Sequence, residues 1–332
     1  MEEKIKISIP SFTKDILLKD CANFSFYKDE NTINKNLFIN TLIVNYYEKF
    51  SNDEKEFHDE LASVLIDNMP TYKEEVLEGI IKVLSKRNKI DNKENKTVSL
   101  SFKPTKISSK TIEYINNILI TNESISSYYR RLLTSYVHKP MNERELIIFN
   151  DIYKTLLDSI NKKQKVCIFL NNKVIYKDVS VYAIEASKDE LFNYVLFVDS
   201  KNTNHTIRIN KIRNVTLSLK KSEISEDSKA LFDKQIRVGV QYPTIKGENE
   251  TIIIKLTNEG KSLFKKLYLY RPVPIKIEGD LYYFDCSYQQ ANQYFRRFGK
   301  NAIVIAPAKL GISIKQYFKS ANKEYRNIFY KD

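Results

Sequence analysis

One short pattern occurs twice in this chain, and it limits the folds open to it. Residues Lys4-Ile5-Lys6-Ile7-Ser8-Ile9-Pro10 alternate strictly, with three isoleucines on one side and Lys4, Lys6 and Ser8 on the other. Successive side chains on a strand point to opposite faces, so this predicts a half-buried strand stopped by its proline. The pattern returns at Thr97-Val98-Ser99-Leu100-Ser101-Phe102-Lys103-Pro104. Helical spacing follows each copy. After Pro10, Thr13 is expected to cap a helix to about Ala22. A longer helix then carries Leu37, Ile39, Leu42, Ile43, Tyr46, Tyr47 and Phe50. After Pro104, Ser108 or Ser109 caps a helix through Ile112, Ile115 and Leu119, and Thr121-Asn122 breaks it. A further helix begins near Ser124 and carries Ile125, Tyr128, Leu132, Leu133 and Tyr136. Strand, helix, helix thus occurs twice.

These segments, roughly 1–50 and 96–139, resemble the ribbon-helix-helix family of DNA-binding proteins. The resemblance implies that the two strands pair into a ribbon within one chain, as an internal pseudo-dimer, with outward side chains entering a DNA major groove. Carried onto this sequence, those positions are Lys4, Lys6 and Ser8, with Ser99, Ser101 and Lys103 in the second copy. Asn34, Lys35, Ser124 and Ser126 fall near the helix starts, where phosphate is gripped. The first copy is neutral, whereas the second has seven bases against two acids, helped by Arg130 and Arg131 in Tyr128-Tyr129-Arg130-Arg131. The other reading is a pair of small structural units, or a ribbon that assembles the protein and reads no DNA. Between the copies, 53–69 and 71–87 read as two helices, with Pro70 opening the second. Residues 88–96 read as a polar linker, and a helix is expected from Asn142 to Ser159.

From residue 165 the period changes. Val166–Leu170, Val174–Val181, Asn193–Val198, Thr206–Ile209 and Ile212–Leu219 are five close-spaced strand candidates, which suggests a small barrel. Asn193-Tyr194-Val195-Leu196-Phe197 and Thr206-Ile207-Arg208-Ile209-Asn210-Lys211-Ile212-Arg213 resemble a WYL domain. The family pattern is Trp-Tyr-Leu on one strand and about Phe-Arg-Leu-Asp-Arg-Ile on the next. Tyr194 and Arg208 match, Lys211 stands at the second basic position, and Asn193, Val195 and Asn210 depart from it. The resemblance implies an Sm-like barrel that binds nucleic acid or nucleotide-like ligands. Tyr194, Arg208, Asn210, Lys211 and Arg213 would form the contact set. Alternation is expected to place Arg208 and Asn210 opposite Ile207 and Ile209, so that the arginine offers a phosphate fork and Tyr194 a stacking face.

The tail alternates strands and helices. Thr251–Leu256, Val273–Ile277, Leu281–Cys286 and Ala302–Pro307 read as strands, and Ser262–Tyr268, Tyr288–Phe298 and Ile312–Ile328 as helices. It resembles the C-terminal extension common after WYL domains, which implies dimer contacts and hence a homodimer. Tyr294-Phe295-Arg296-Arg297-Phe298 interleaves arginines with aromatics. The fold class expected is therefore α+β multidomain. A ribbon-helix-helix-like region spans 1–140, a linker helix 141–162, the WYL barrel 163–222 and the C-terminal extension 223–332. The whole resembles the WYL accessory proteins of type VI-D CRISPR systems, which implies single-stranded RNA binding in support of an RNA-guided nuclease. A free-standing WYL transcriptional regulator, binding DNA through its ribbon and sensing a nucleotide-like ligand, has the same parts.

Charge and composition narrow the function. The net charge is +13, and the excess lies after residue 160, which favours polyanionic partners. No P-loop, Gly-x-Ser-x-Gly elbow or dinucleotide glycine triplet is present, and His58, His138 and His205 have no second ligand at metal spacing. The chain is therefore expected not to be an enzyme and to need no cofactor or metal. Cys21, Cys167 and Cys286 read as reduced cytosolic thiols. No apolar run is long enough for a membrane span and no secretion signal opens the chain, so a cytoplasmic protein without membrane partners is expected.

Overall fold

The computed structural model describes residues 4–68, 74–90, 96–120, 123–170, 173–243 and 250–329. The chain divides into two compact units, Met1–Asn150 and Asp151–Asp332. Pro70, Thr121-Asn122 and most of the polar linker at 88–96 lie outside the described residues.

In the first unit, β1 (Ile5–Pro10) and β2 (Thr97–Phe102) pair antiparallel, with Ile7 opposite Leu100 and Ser8 opposite Ser99. Alternation sorts the side chains: Ile7, Ile9, Leu100 and Phe102 are buried, and Lys4, Lys6, Ser8, Ser99 and Lys103 are exposed. The helix α1 (Ser11–Asn23) starts directly after Pro10, and Thr13 is buried rather than capping. Proline's fixed φ already suits a helix entry, so no side-chain cap is needed. The helix α2 (Lys35–Asn68) runs unbroken where two helices are expected from the sequence. Ser51-Asn52 weakens helix propensity only mildly, and no Gly or Pro interrupts it.

The helix α3 (Glu74–Ile90) follows. Next come α4 (Ser109–Tyr114), a π turn at Ile115–Leu119, α5 (Ile125–His138) and α6 (Met141–Ile148). The helix expected over Asn142–Ser159 is broken at Phe149, whose φ of −103° and ψ of 31° leave the helical well. Its ring packs edge-on against Phe24, drawing the chain toward the first unit's core. That core places Phe38, Leu42 and Tyr46 of α2 with Leu132, Leu133 and Tyr136 of α5. The buried carboxylate of Asp20 is answered there by Arg144 Nε at 2.7 Å and by the Tyr136 hydroxyl at 3.0 Å.

The second unit opens with α7 (Asn150–Asn161) and then turns to strands. β3 (Gln164–Leu170), β4 (Lys173–Ala186), β5 (Asn193–Val198), β6 (Asn204–Arg208) and β7 (Asn214–Lys221) form one antiparallel sheet in the order β6-β5-β4-β3-β7. A 3-10 turn, Ile209–Lys211, lies between β6 and β7. Every residue of β5 is buried, so both of its faces are covered. The helix α8 (Glu226–Val238), which the sequence reading passed over, is capped by Ser225 and buries Phe232 against Tyr194, Leu196 and Val198.

A second sheet has the order β11-β8-β10-β9, built from β8 (Ile252–Leu256), β9 (Pro274–Glu278), β10 (Leu281–Phe284) and β11 (Ala302–Ala306). Helices α9 (Asn258–Lys266), α10 (Tyr288–Phe295) and α11 (Ala308–Phe329) accompany it. Its core is rich in aromatics, with Phe264, Tyr282, Phe284, Tyr294, Phe295 and Phe298 in one cluster. Gly260 is dictated by contact, because a Cβ there would meet the Asn301 carbonyl oxygen at 2.2 Å.

Candidate nucleic-acid interface

The ribbon's outward face carries Lys4, Lys6 and Lys103 as exposed cations, beside Ser8, Ser99 and the half-buried Ser101. A two-stranded ribbon leaves the outer edge of each strand without a sheet partner. Here each edge is clasped by a helix of the other copy. The Ser8 amide donates to Ser126 Oγ at 3.3 Å, and the Ser8 carbonyl accepts from Arg130 Nε at 2.5 Å. Across the ribbon, Lys103 N donates to Asn36 Oδ1 at 2.8 Å, and the Lys103 carbonyl accepts from Asn36 and Asn40. Ser126 and Arg130 therefore bind protein backbone, and Asn34 caps α2 by accepting from Leu37 N. Lys35 is half-buried at the start of that helix, and Ser124 caps α5 by accepting from Ser127 N.

Arg131 is engaged within the protein. It pairs with Glu54 and Glu123, and its guanidinium lies over the Phe50 and Tyr128 rings. Burial works against its charge, but the Glu123 hydrogen bond and the Glu54 charge outweigh that and hold its pKa above the ordinary arginine value. Two adjacent arginines look alike in sequence; the helical twist sends one to the ribbon edge and the other to a carboxylate pair.

In the five-stranded sheet, Tyr194 and Arg208 are direct cross-strand neighbours, as β5 pairs with β6. Their environments differ from the expectation. Tyr194 is 8% exposed, and its hydroxyl donates to Glu190 at 2.5 Å, so its ring offers no free stacking face. Arg208 is half-buried rather than emerging into solvent, and its guanidinium carbon lies 3.3 Å from the centre of the Phe192 ring. The Nε of Arg208 is buried with no hydrogen-bond partner among the described residues. Asn210 is also buried, because β6 ends at Arg208 and the 3-10 turn carries the next residues out of the strand alternation. Lys211 and Arg213 are exposed on and just after this turn. The structure thus brings Arg208 and Tyr194 together, leaves Lys211 and Arg213 close by in the chain, and removes Asn210 from the surface.

Sequence reasoning missed Phe192, Asp189 and Glu190, which precede β5. Only position signalled Phe192: it is an aromatic two residues ahead of Tyr194. Asp189 accepts from Gln241 Nε2 at 3.0 Å, and the neighbouring Tyr242 phenol is raised above its ordinary pKa, first by burial. His205 faces Asp199 at 2.9 Å. The Asp199 carboxyl is held below its usual range: burial pushes it up, but the Thr203 amide and the His205 ring more than offset that. Among the described residues, no group of three or more His, Cys, Asp or Glu side chains is placed to hold a metal ion.

In the C-terminal part, Arg296 lies over the Tyr317 ring at 4.9 Å. Arg297 donates to the Leu269 carbonyl at 2.8 Å and covers Tyr294. The interleaved arginines and aromatics thus stack within the protein. Among the described residues, no helix is long and apolar enough to cross a membrane.

No known protein family and no curated protein matches this chain. A solved structure described as "Crystal structure of a CRISPR Cas-related protein" superposes with a TM-score of 0.67, covering 99% of this chain and 95% of its own at 14% identity. The two proteins share a fold along their whole length. "Proteasome accessory factor B/C (PafBC) of Arthrobacter aurescens" covers 70% of this chain and 39% of its own, with a TM-score of 0.25 and 11% identity. That likeness is too low to bear on fold or function.

Proposed function

We propose that this chain is a nucleic-acid-binding regulatory protein, an accessory that binds single-stranded RNA and modulates an RNA-guided CRISPR nuclease of the type VI-D kind, without being an enzyme itself. The observation that carries the reading is Arg208. Its half-buried guanidinium lies over the Phe192 ring, and an arginine restrained in this way offers its terminal N–H groups to an anion at a reduced cost in side-chain entropy. Lys211 and Arg213 add exposed positive charge beside it in sequence, which suits a phosphate backbone. The full-length likeness to a CRISPR Cas-related protein supports placing the role beside such a nuclease. The C-terminal unit is proposed to form a homodimer through the exposed part of α11, and the protein to act in the cytoplasm.

A second reading, a transcriptional regulator that binds DNA through its ribbon, is favoured by one observation. The ribbon forms within a single chain and presents Lys4, Lys6 and Lys103 outward. Titrating labelled single-stranded RNA, duplex DNA and free nucleotides at ~100 mM salt separates the two, because electrostatic affinity persists there. Preference for single-stranded RNA supports the first reading. Preference for duplex DNA supports the second, and no binding to any of them sinks both.

A further inference from the structure

We propose that the first unit holds a pocket for a single nucleoside 5′-phosphate, between the ribbon and the π turn. The pocket is an open cleft of about 590 Å³, bounded by β1 on one side and by α4, the π turn and the start of α5 on the other. That volume lies within the range of small-ligand sites. Its chemistry is divided as a nucleotide's is. Lys4, just before β1, and Lys6 within it line the β1 side as exposed cations and offer positive charge for a phosphate. Ile112 and Ile125 supply apolar wall for the flat face of a base. Asn116 and Asn117 bring side-chain amides, which donate and accept and so match the edge of a base. Glu113 adds a carboxylate that accepts from ribose hydroxyls or an exocyclic amine and disfavours a bare anion.

The local backbone accounts for the two asparagines. The helix widens to a π turn here, with Ile120 N bonded to the Ile115 carbonyl at 3.0 Å. Such turns recur at functional sites, because the extra residue re-aims its neighbours. Asn116 is fixed by the Tyr129 hydroxyl, which donates to its Oδ1 at 3.1 Å and leaves its amide hydrogens for another acceptor.

The inference deepens the nucleic-acid reading, since the nucleotide arrives either free or as one unit of an unpaired strand. The test uses the full-length protein, adenosine 5′-monophosphate, inorganic phosphate and a 20-nucleotide single-stranded RNA. The variants are Lys6→Ala/Asn117→Ala in the cleft and Arg208→Ala/Lys211→Ala in the second unit. Both cleft positions are exposed, so thermal melting should match the wild type. The cleft variant is expected to weaken the monophosphate about tenfold, with inorganic phosphate failing to compete. A parallel loss for the RNA identifies the strand as the source, and loss for the monophosphate alone identifies the free nucleotide. Unchanged affinity of the cleft variant for both ligands overturns the inference. If the second-unit variant still loses RNA binding in that case, the functional reading stands without the cleft. Wild-type protein that takes the monophosphate but no RNA sinks the functional reading and keeps the cleft.

Discussion

The guanidinium carbon of Arg208 lies 3.3 Å from the centre of the Phe192 ring, at van der Waals contact. The ring contact restrains the side chain before any ligand arrives, which lowers the side-chain entropy lost on binding. Arg208→Ala is expected to weaken single-stranded RNA binding by ~1–3 kcal/mol and to flatten its salt dependence by about one unit of slope. Tyr194→Phe should bind as the wild type, because the hydroxyl is spent on Glu190. Tyr194→Ala should instead lower stability by about 3 kcal/mol through the cavity it leaves. Fluorescence anisotropy across a salt series, with a thermal melt of each variant, checks these outcomes. Wild-type affinity and slope for Arg208→Ala would place the interface elsewhere.

Arg131 should behave in the opposite way. Its removal leaves Glu54 and Glu123 facing each other without a cation and uncovers two rings. Arg131→Ala is expected to cost about 1–2 kcal/mol of stability and to leave RNA affinity unchanged. Urea unfolding measures the first and anisotropy the second. A selective loss of affinity at unchanged stability refutes the structural assignment.

The last helix predicts an oligomeric state. Leu310, Ile314, Phe318, Ala321, Tyr325 and Ile328 follow one side of α11 at spacings of three and four. The first two are buried in their own core, whereas Tyr325 and Ile328 are 64% and 70% exposed. An apolar stripe that continues past its own core suits a twin helix of a second copy. Light scattering is expected to give a dimer for the wild type and a monomer for Tyr325→Glu/Ile328→Glu. A monomeric wild type refutes the proposal.

The cysteines predict a pH dependence. Burial, the largest cause for both, pushes the Cys21 thiol up to about 11 and Cys286 up to about 12, from an ordinary value of 9.0. A raised thiol pKa favours the protonated folded form. Its contribution to stability is therefore complete below pH 9 and lost as pH rises through 11 to 12. Iodoacetamide at pH 8 should modify the half-buried Cys167 and spare the other two in folded protein. Mass spectrometry of the labelled peptides decides it, and fast labelling of Cys286 would contradict the burial.

Strand periodicity was legible because alternation is local. The isoleucines of 5–9 and the residues Val98, Leu100 and Phe102 identify their strands and inner faces without reference to any partner. Helix ends were less so. Asn150-Asp151 favour a helix start after Phe149, a local signal that the apolar periodicity across 142–159 hides, and the Phe149 ring packs on the distant Phe24. The α2 helix passes Ser51-Asn52 because neither residue breaks a helix, and propagation from the packed half at Phe38–Phe50 adds one hydrogen bond per residue. Of the residues the sequence pointed to, Lys211 and Arg213 are exposed and Arg208 half-buried, whereas Tyr194 and Asn210 are buried. Burial depends on what covers a strand, here α8 over Tyr194, and on where the strand stops.

The sequence by itself determined residue-by-residue preferences: which stretches alternate, which repeat at helical spacing, where the positive charge accumulates. Those follow from the chemistry of a few neighbouring residues. Only the tertiary structure decided which cations are free. Lys6 points from the ribbon, Arg130 closes the edge of β1, Arg131 is held by two carboxylates and Arg208 rests on Phe192. A charged side chain's availability is set by partners far away in the chain, and folding brings those partners within hydrogen-bond distance.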